Sequence, residues 1–269
     1  MFKGKTGKTA PPLNGRTLYG LPETGLLDFQ TTWNSFMKHG WSLVTNVINK
    51  GIDKKSAVID QKLYMANFDI MLKISGMFAE ETFKHLREAM ENYVNEKVAV
   101  KLQDFVGKRL LRNFVSSWHN HLFMSIWMQR FFRNLDSVRV DSAHTVSAML
   151  LRTFLTAGYE KHKKNIVQAS LEEITKYRDK VECDMDLVSD VSKILVHLGC
   201  LDDGSALPAI QTIDGSGELR KGTWKTAPQL HQFTSMKIYE KDLEEKLLLH
   251  TKNYYKKMGA KWIRNNSVS

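Results

Sequence analysis

The clearest hydrophobic pattern lies near the end of the chain, between Ile238 and Trp262. Apolar residues recur there at steps of three and four, at Tyr239, Leu243, Leu247, Tyr254, Met258 and Trp262. This spacing places their side chains on one side of a helix, while lysines and glutamates take the other sides. The segment is therefore predicted to form one uninterrupted amphipathic helix with a wide apolar stripe.

Helical spacing also fills most of the chain from Leu27 onward. The first helix is predicted to end at Asn49-Lys50-Gly51, because glycine commonly follows the last helical residue. Four more helices are predicted at about 56–77, 79–101, 104–119 and 121–136. A second series begins after Val140, capped at Asp141-Ser142. Its later helices are predicted at about 164–180 and 184–198.

The fold class predicted from these patterns is all-α. The chain has only 5 prolines and 16 glycines, and it contains no convincing run of strictly alternating apolar and polar residues. Its abundant leucine, lysine, glutamate, methionine and alanine favour helix by intrinsic propensity. Periodicity alone is compatible with either a helical bundle or an α-solenoid, in which each unit buries its apolar face against the next.

Composition indicates a soluble protein of a reducing compartment. Hydrophobic residues make up 42% of 269 residues, enough for one large domain or two small ones. Two cysteines, Cys183 and Cys200, are too few for a disulfide scaffold or a cysteine-based zinc site. No apolar stretch approaches the ~18 residues of a membrane span, and no apolar segment follows the basic N-terminus. We expect the protein in the cytoplasm, the nucleus or both.

The formal net charge of +10 raises the question of nucleic acids and acidic membranes as partners. The lysines and arginines are dispersed, however, and acidic residues are interleaved with them across much of the middle of the chain. This distribution favours solvated helix faces and an interaction-prone surface over a dedicated nucleic-acid groove. We therefore expect neither nucleic acid nor a membrane as the principal partner.

No catalytic, cofactor or metal site is predicted. Gly7-Lys8-Thr9 resembles the end of a phosphate-binding loop, but the glycine required five positions earlier is replaced by Phe2. His119 and His121 are two positions apart, so on a helix they point to different faces and are better explained as structural residues. Spacing singles out no Ser-His-Asp, Cys-His or paired-carboxylate arrangement.

Several segments resemble, in order, the helices of one known family. The residue types of 238–262, with Tyr-Glu, Asp-Leu-Glu, a leucine cluster and Thr-x-x-Tyr-Tyr, resemble a signature helix of the cullins, the scaffolds of multi-subunit ubiquitin ligases. Segments 61–72, 83–93 and 110–136 resemble the second, the third, and the fourth with the fifth helix of a cullin N-terminal domain. Segment 188–199 resembles the helix that precedes the signature helix. The resemblance covers 27–265.

The resemblance implies an elongated rod of five-helix cullin repeats. Residues 27–140 would form the first repeat, which binds an adaptor, and 141–269 would form most of the second. Residues 1–26, rich in proline and glycine, are predicted to be a flexible tail. The segment 201–236 is predicted to be a long loop, where cullins generally have a shorter connection. The chain would then be part of a longer protein.

The candidate functional site comes from the helix predicted at 56–77. Tyr64, Asn67, Phe68 and Met71 lie on one stripe of it, at i, i+3, i+4 and i+7. That stripe can equally face the core, and a second apolar stripe, rotated from the first, comprises Leu63, Ile70, Ile74 and Met77. One stripe could therefore pack inward while the other meets a partner.

The resemblance implies what that partner is. In cullins the second helix and the far end of the fifth bind a BTB-fold adaptor, either a Skp-type or a BTB-domain protein, which carries the substrate receptor. By position, Tyr64 and Phe68 match the aromatic residues of the second helix. Met128, Phe131 and Leu135 match apolar positions of the fifth helix, and Arg139 stands where cullins often have an aromatic residue.

The implied function is that of a scaffold in a cullin-RING ubiquitin ligase, without catalytic activity of its own. A RING subunit would bind a C-terminal domain that lies beyond this chain. The alternatives are a helical-rod subunit of a membrane-tethering complex and a nucleic-acid-binding helical protein. An enzyme is the least favoured of these classes.

Overall fold

The computed structural model describes residues 28–52, 59–138, 145–199 and 236–266. The predicted tail 1–26, nearly all of the predicted loop 201–236, the predicted cap at Asp141-Ser142 and the candidate site residue Arg139 lie outside these ranges. All regular structure in the described ranges is helical, which confirms the all-α prediction.

The helices are numbered along the chain, and several contain a π-helical turn. The first four are α1 (Phe29–Phe36, a π turn Met37–Trp41, and Ser42–Lys50), α2 (Gln61–Met77), α3 (Ala79–Tyr93, a π turn Val94–Ala99, and Val100–Gln103) and α4 (Gly107–Phe131). The others are α5 (Leu135–Val138), α6 (Val146–Thr153 and a π turn Phe154–Tyr159), α7 (Lys163–Arg178), α8 (Met185–Gly199) and α9 (Lys237–Tyr239, a π turn Glu240–Glu244, and Glu245–Asn266).

Side-chain caps and one glycine set the ends of the first two helices. The Asp60 carboxylate accepts hydrogen bonds from the backbone N–H groups of Lys62 and Leu63 at 2.9 and 3.0 Å, so it caps α2. Gly51 ends α1 with a φ of 97°, a conformation that is costly for other residues. The predicted end of the first helix is confirmed.

The predicted break near residue 120 is wrong, because α4 is a single helix of 25 residues. No glycine or proline occurs between Lys108 and Phe131, so nothing in the backbone interrupts the helix. The polar residues around His121 do not mark a loop. His121 is fully buried, and its Nε2 donates a hydrogen bond to the backbone oxygen of Leu150 at 2.9 Å.

The helices enclose two hydrophobic cores, and α3, α4 and α6 contribute to both. The first core includes Phe36, Met71, Ile74, Leu86, Met124, Phe131 and Leu135. The second core includes Leu110, Phe114, Trp118, Phe154, Tyr159, Ile166, Leu195 and Leu243. Helix α4 supplies its first half to the second core and its second half to the first core. The division of the chain at residue 140 stays a prediction.

A buried polar contact fixes the start of α9 against α6 and α7. The Tyr159 hydroxyl donates a hydrogen bond to Oδ2 of Asp242 at 3.0 Å, and both residues are buried. Lys163 Nζ lies 2.7 Å from Glu160 and 4.0 Å from the same Asp242 oxygen. Burial raises the pKa of Tyr159, and the neighbouring Asp242 carboxylate adds to this shift, so the phenol stays protonated and donates.

Candidate docking surface

Helix α2 has a buried side, a half-buried border and an exposed side. Asn67, Met71, Ile74 and Ser75 are buried against the first core. Tyr64 and Phe68 are half-buried and pack against that core from its border. The apolar residues Met65 and Leu72, by contrast, are 46% and 41% exposed.

Most of the predicted adaptor-binding residues lie in the core. Met71, Met128 and Leu135 have no exposed surface, and Phe131 and Asn67 have 1% and 2%. Asn67 donates a hydrogen bond from Nδ2 to the backbone oxygen of Leu63 at 2.7 Å. In this conformation these residues support the surface from beneath, and a partner would contact Tyr64 and Phe68 rather than them.

The predicted stripe therefore straddles the edge of the core. Successive residues of an α-helix are 100° apart, so the exposed apolar stripe is rotated by about 60° about the helix axis relative to the predicted stripe. It consists of Tyr64, Phe68 and Leu72, at i, i+4 and i+8, together with Met65. We call these four residues the tip surface. Of the second predicted stripe, Ile74 is fully buried, whereas Met77 is 54% exposed on another side of the helix.

The aromatic residues of the tip surface are joined to α4 through the ring of Tyr64. The Tyr64 ring centroid lies 5.3 Å from that of Trp127 and 5.2 Å from that of Phe131. Phe68 continues the row, with its ring 6.0 Å from Tyr64. Contacts at these distances stabilise a fixed ring orientation. Tyr64 is consequently positioned before any partner arrives.

Positive charge flanks the aromatic row on its α4 side. The Arg130 guanidinium lies over the Trp127 ring, 4.8 Å from its centroid. Burial raises the pKa of Tyr64, and the positive charges of Arg130 and Arg133 oppose this shift. Asp69 and Lys73 are exposed on the opposite flank of α2. The surface thus combines an apolar centre with a charged rim, the usual composition of a protein interface.

Sequence reasoning missed Met65 and Leu72. Neither residue belongs to the two stripes predicted for α2, although the sequence shows the step of four from Tyr64 through Phe68 to Leu72. The pattern alone does not reveal which of three overlapping stripes is covered by α1 and α4.

The described residues contain no group of histidine, cysteine, aspartate or glutamate side chains arranged to hold a metal ion. Among the helices of the described ranges, none is long and apolar enough to cross a membrane.

Comparison with known proteins identifies the family. Residues 41–269 match the family model described as the cullin alpha solenoid domain, which is most of the chain. The chain belongs to the cullin family. This confirms the resemblance noted in the sequence and decides between the bundle and the solenoid in favour of the α-solenoid.

The similar curated proteins are plant cullins and cullin-like proteins. The chain is 23% identical to putative cullin-like protein 2 of Arabidopsis thaliana, over 86% of this chain and 56% of that protein. It is 25% identical to cullin-1 of Oryza sativa subsp. japonica, over 66% and 24%, and 22% identical to cullin-2 of A. thaliana, over 87% and 29%. The chain thus spans between about a quarter and just over half of the length of these cullins.

Proposed function

We propose that this cullin chain is the adaptor-binding arm of a ubiquitin ligase scaffold, and that the tip surface binds a BTB-fold adaptor. The observation that carries the proposal is the row of Tyr64, Phe68 and Leu72 on α2, which is apolar and accessible while the residues beneath it are packed. Family membership supports a scaffold role more than a membrane-tethering or nucleic-acid-binding one.

The arrangement of the helices supports a rigid arm. Helix α4 would be about 37 Å long at 1.5 Å per residue, and it runs through both cores. Bending it would require both cores to repack, and close-packed interiors resist such deformation. A stiff arm keeps a bound adaptor at a constant distance and orientation relative to the rest of the ligase.

Constant geometry is the proposed contribution to the reaction. Holding a substrate near a ubiquitin donor replaces a random encounter with an oriented one, which raises the rate without catalytic groups on the arm. A RING subunit that recruits the ubiquitin-carrying enzyme would bind a C-terminal domain in a longer protein. The chain itself would act as a non-catalytic scaffold, in the cytoplasm or the nucleus.

Calorimetry with purified Skp-type and BTB-domain adaptors tests the proposal. Truncating Phe68 to Ala should weaken adaptor binding by about 2 kcal/mol, or about 30-fold, if the ring is a hot spot. Tyr64→Ala should have a similar effect. Leu72→Asp should weaken binding because it places an unpaired charge in the apolar centre of the interface.

Matched controls separate lost contacts from lost folding. Met258→Asp introduces the same charge at a residue with nearly the same exposure, 42% against 41% for Leu72, on the distant helix α9. That variant should bind the adaptor like the parent. If Phe68→Ala and Leu72→Asp fold normally and bind as tightly as the parent, the assignment of the tip surface is wrong.

A further inference from the structure

Two arginines border the tip surface where α2 meets the end of α4. Arg130 lies in the last turn of α4, next to Phe131, whose ring centroid is 5.2 Å from that of Tyr64. Arg133 follows three residues later, beyond the end of the helix. Burial raises the pKa of Tyr64, and the positive charges of both arginines oppose that rise. Both charges therefore act on the aromatic row of the tip surface.

The Arg130 guanidinium has a fixed position beside this row. It lies over the Trp127 ring, 4.8 Å from the ring centroid, and the same ring packs edge-on against Tyr64 at 5.3 Å. Trp127 is 2% exposed, so the ring beneath the guanidinium is itself held in place. Stacking of this kind orients the planar fork of N–H groups before a partner arrives. Arg133, by contrast, is exposed and makes no ring contact among the described residues.

No carboxylate of the described residues forms an ion pair with either arginine. Helix α4 contains no aspartate or glutamate in its 25 residues. The next acidic residue along the chain is Asp136, whose Oδ1 accepts a hydrogen bond from the backbone N–H of Val146 at 2.8 Å. Within the described ranges, the positive charge at this edge of the tip surface is thus left for a group outside the chain.

The other flank of the tip surface does not cancel this charge. The charged residues of α2 are Lys62, Asp69 and Lys73, and all three are exposed. Two positive charges and one negative charge leave this flank positive as well. A partner that lays an apolar surface on the tip surface brings its own rim against these cations. A basic rim would be repelled there, and an acidic rim would be attracted.

A carboxylate is the group that fits the position of Arg130. A guanidinium donates two parallel hydrogen bonds to a carboxylate, and this pairing is stronger than a hydrogen bond between neutral groups. Arg130 is half-buried and already oriented, so little side-chain freedom is lost when the pair forms. An ion pair made by an exposed and unconstrained side chain, such as that of Arg133, contributes little.

We infer that Arg130 selects the adaptor by pairing with an aspartate or glutamate that the adaptor carries beside its pocket for Tyr64 and Phe68. The inference rests on the proposed function and adds the chemistry of the matching surface, which is an apolar centre with a carboxylate at the edge that meets α4. An adaptor with a basic residue at that edge is rejected, because like charges would face each other.

Three substitutions at Arg130 separate its charge from its stacking. Arg130→Gln removes the charge, Arg130→Lys keeps the charge but not the planar fork, and Arg130→Glu reverses the charge. In calorimetry with purified Skp-type and BTB-domain adaptors, the Gln variant should bind about tenfold more weakly than the parent. The Glu variant should be weaker still, and the Lys variant should lie between Gln and the parent. Urea denaturation of each variant checks that it folds.

Arg133→Gln is the matched control. It removes the same charge near the same end of α4, but from an exposed side chain without a ring contact. It should change the affinity for the adaptor by no more than about threefold. Equal losses in Arg130→Gln and Arg133→Gln would indicate a diffuse attraction rather than one ion pair, and would overturn the inference.

A charge exchange identifies the carboxylate on the adaptor. Acidic residues of the adaptor are replaced by arginine one at a time, and each variant is measured against the parent chain and against Arg130→Glu. At one position the replacement should weaken binding to the parent and restore binding to Arg130→Glu. If no adaptor position restores binding, the proposed pair does not exist.

Phe68→Ala, measured alongside, separates the inference from the proposed function. If Phe68→Ala weakens adaptor binding while Arg130→Gln binds as tightly as the parent, the tip surface binds the adaptor and the inference about Arg130 is wrong. Equal affinities of Arg130→Gln and Arg130→Lys would assign the effect to stacking on Trp127, which also overturns it. If the parent binds neither class of adaptor, the proposed function fails and the inference fails with it.

Discussion

Replacing Gly40 with alanine tests how tightly the Phe36 ring and Asn67 of α2 pack against the π turn of α1. Gly40 is buried in the π turn of α1. A Cβ atom at this position would lie 2.5 and 2.6 Å from two ring carbons of Phe36 and 3.0 Å from Oδ1 of Asn67. Real Cβ atoms do not approach carbon atoms this closely. The substitution therefore requires a ring or a helix to move.

The ring has little room to move, because it is packed on other sides. Phe36 is 1% exposed, and its ring centroid lies 5.3 Å from that of Phe131 and 5.1 Å from that of Phe132. Overpacking a well-packed core costs about 1–3 kcal/mol. Alanine regains up to about 1 kcal/mol over glycine from helix propensity. We expect a net loss of about 1 kcal/mol in the free energy of unfolding.

A matched glycine separates the two contributions. Gly76 lies on the exposed side of α2, and the nearest atom to an added Cβ is Nδ2 of Asn134 at 3.8 Å, an ordinary contact distance. Gly76→Ala should stabilise the protein by up to about 1 kcal/mol. In urea denaturation the two variants should thus differ by about 1–3 kcal/mol at similar m-values. Equal stabilities would refute the proposed close packing of Phe36 and Asn67 around Gly40.

Two further predictions concern buried polar groups. Tyr159→Phe should lower the free energy of unfolding by about 1.5–3 kcal/mol, because it leaves the buried Asp242 carboxylate without its donor; a cycle with Asp242→Asn measures the coupling, and a coupling near zero would contradict the account. Burial lowers the pKa of His121 in the folded chain to about 4, whereas in the unfolded chain it is near 6.5. Between these two pH values the unfolded chain therefore binds a proton at His121 that the folded chain does not bind. Stability contributed by His121 should therefore be full above about pH 6.5 and decline towards pH 4 by up to about 1.4 kcal/mol per pH unit. His121→Gln should reduce the dependence of the urea midpoint on pH over this range. An unchanged pH dependence would contradict a buried, neutral His121 ring.

The sequence allowed the helices and the family to be predicted, because both depend on spacing along one chain segment. The amphipathic pattern of 238–262 and the glycine at position 51 correspond to α9 and to the end of α1 in the structure. The break predicted between 119 and 121 failed for a physical reason. Polar residues near His121 resemble a loop in sequence, but the His121 ring is buried inside a continuous helix, where its Nε2 donates a hydrogen bond to the backbone oxygen of Leu150.

The candidate site could be predicted only in part. Periodicity placed Tyr64 and Phe68 together, but it also grouped them with Asn67 and Met71, which face the core. Because residues of an α-helix are spaced by 100°, neighbouring apolar stripes of α2 overlap in the sequence pattern. Which stripe stays exposed for a partner is decided by the positions of α1 and α4, which the pattern does not give.

Hydrogen–deuterium exchange of the chain with and without a BTB-fold adaptor tests the central claim most directly. The account predicts that the adaptor slows exchange in α2 and in the adjoining end of α4, while exchange in α7 and α9 is unchanged. Protection confined to α7 and α9, or no protection anywhere at adaptor concentrations that saturate binding, would contradict it.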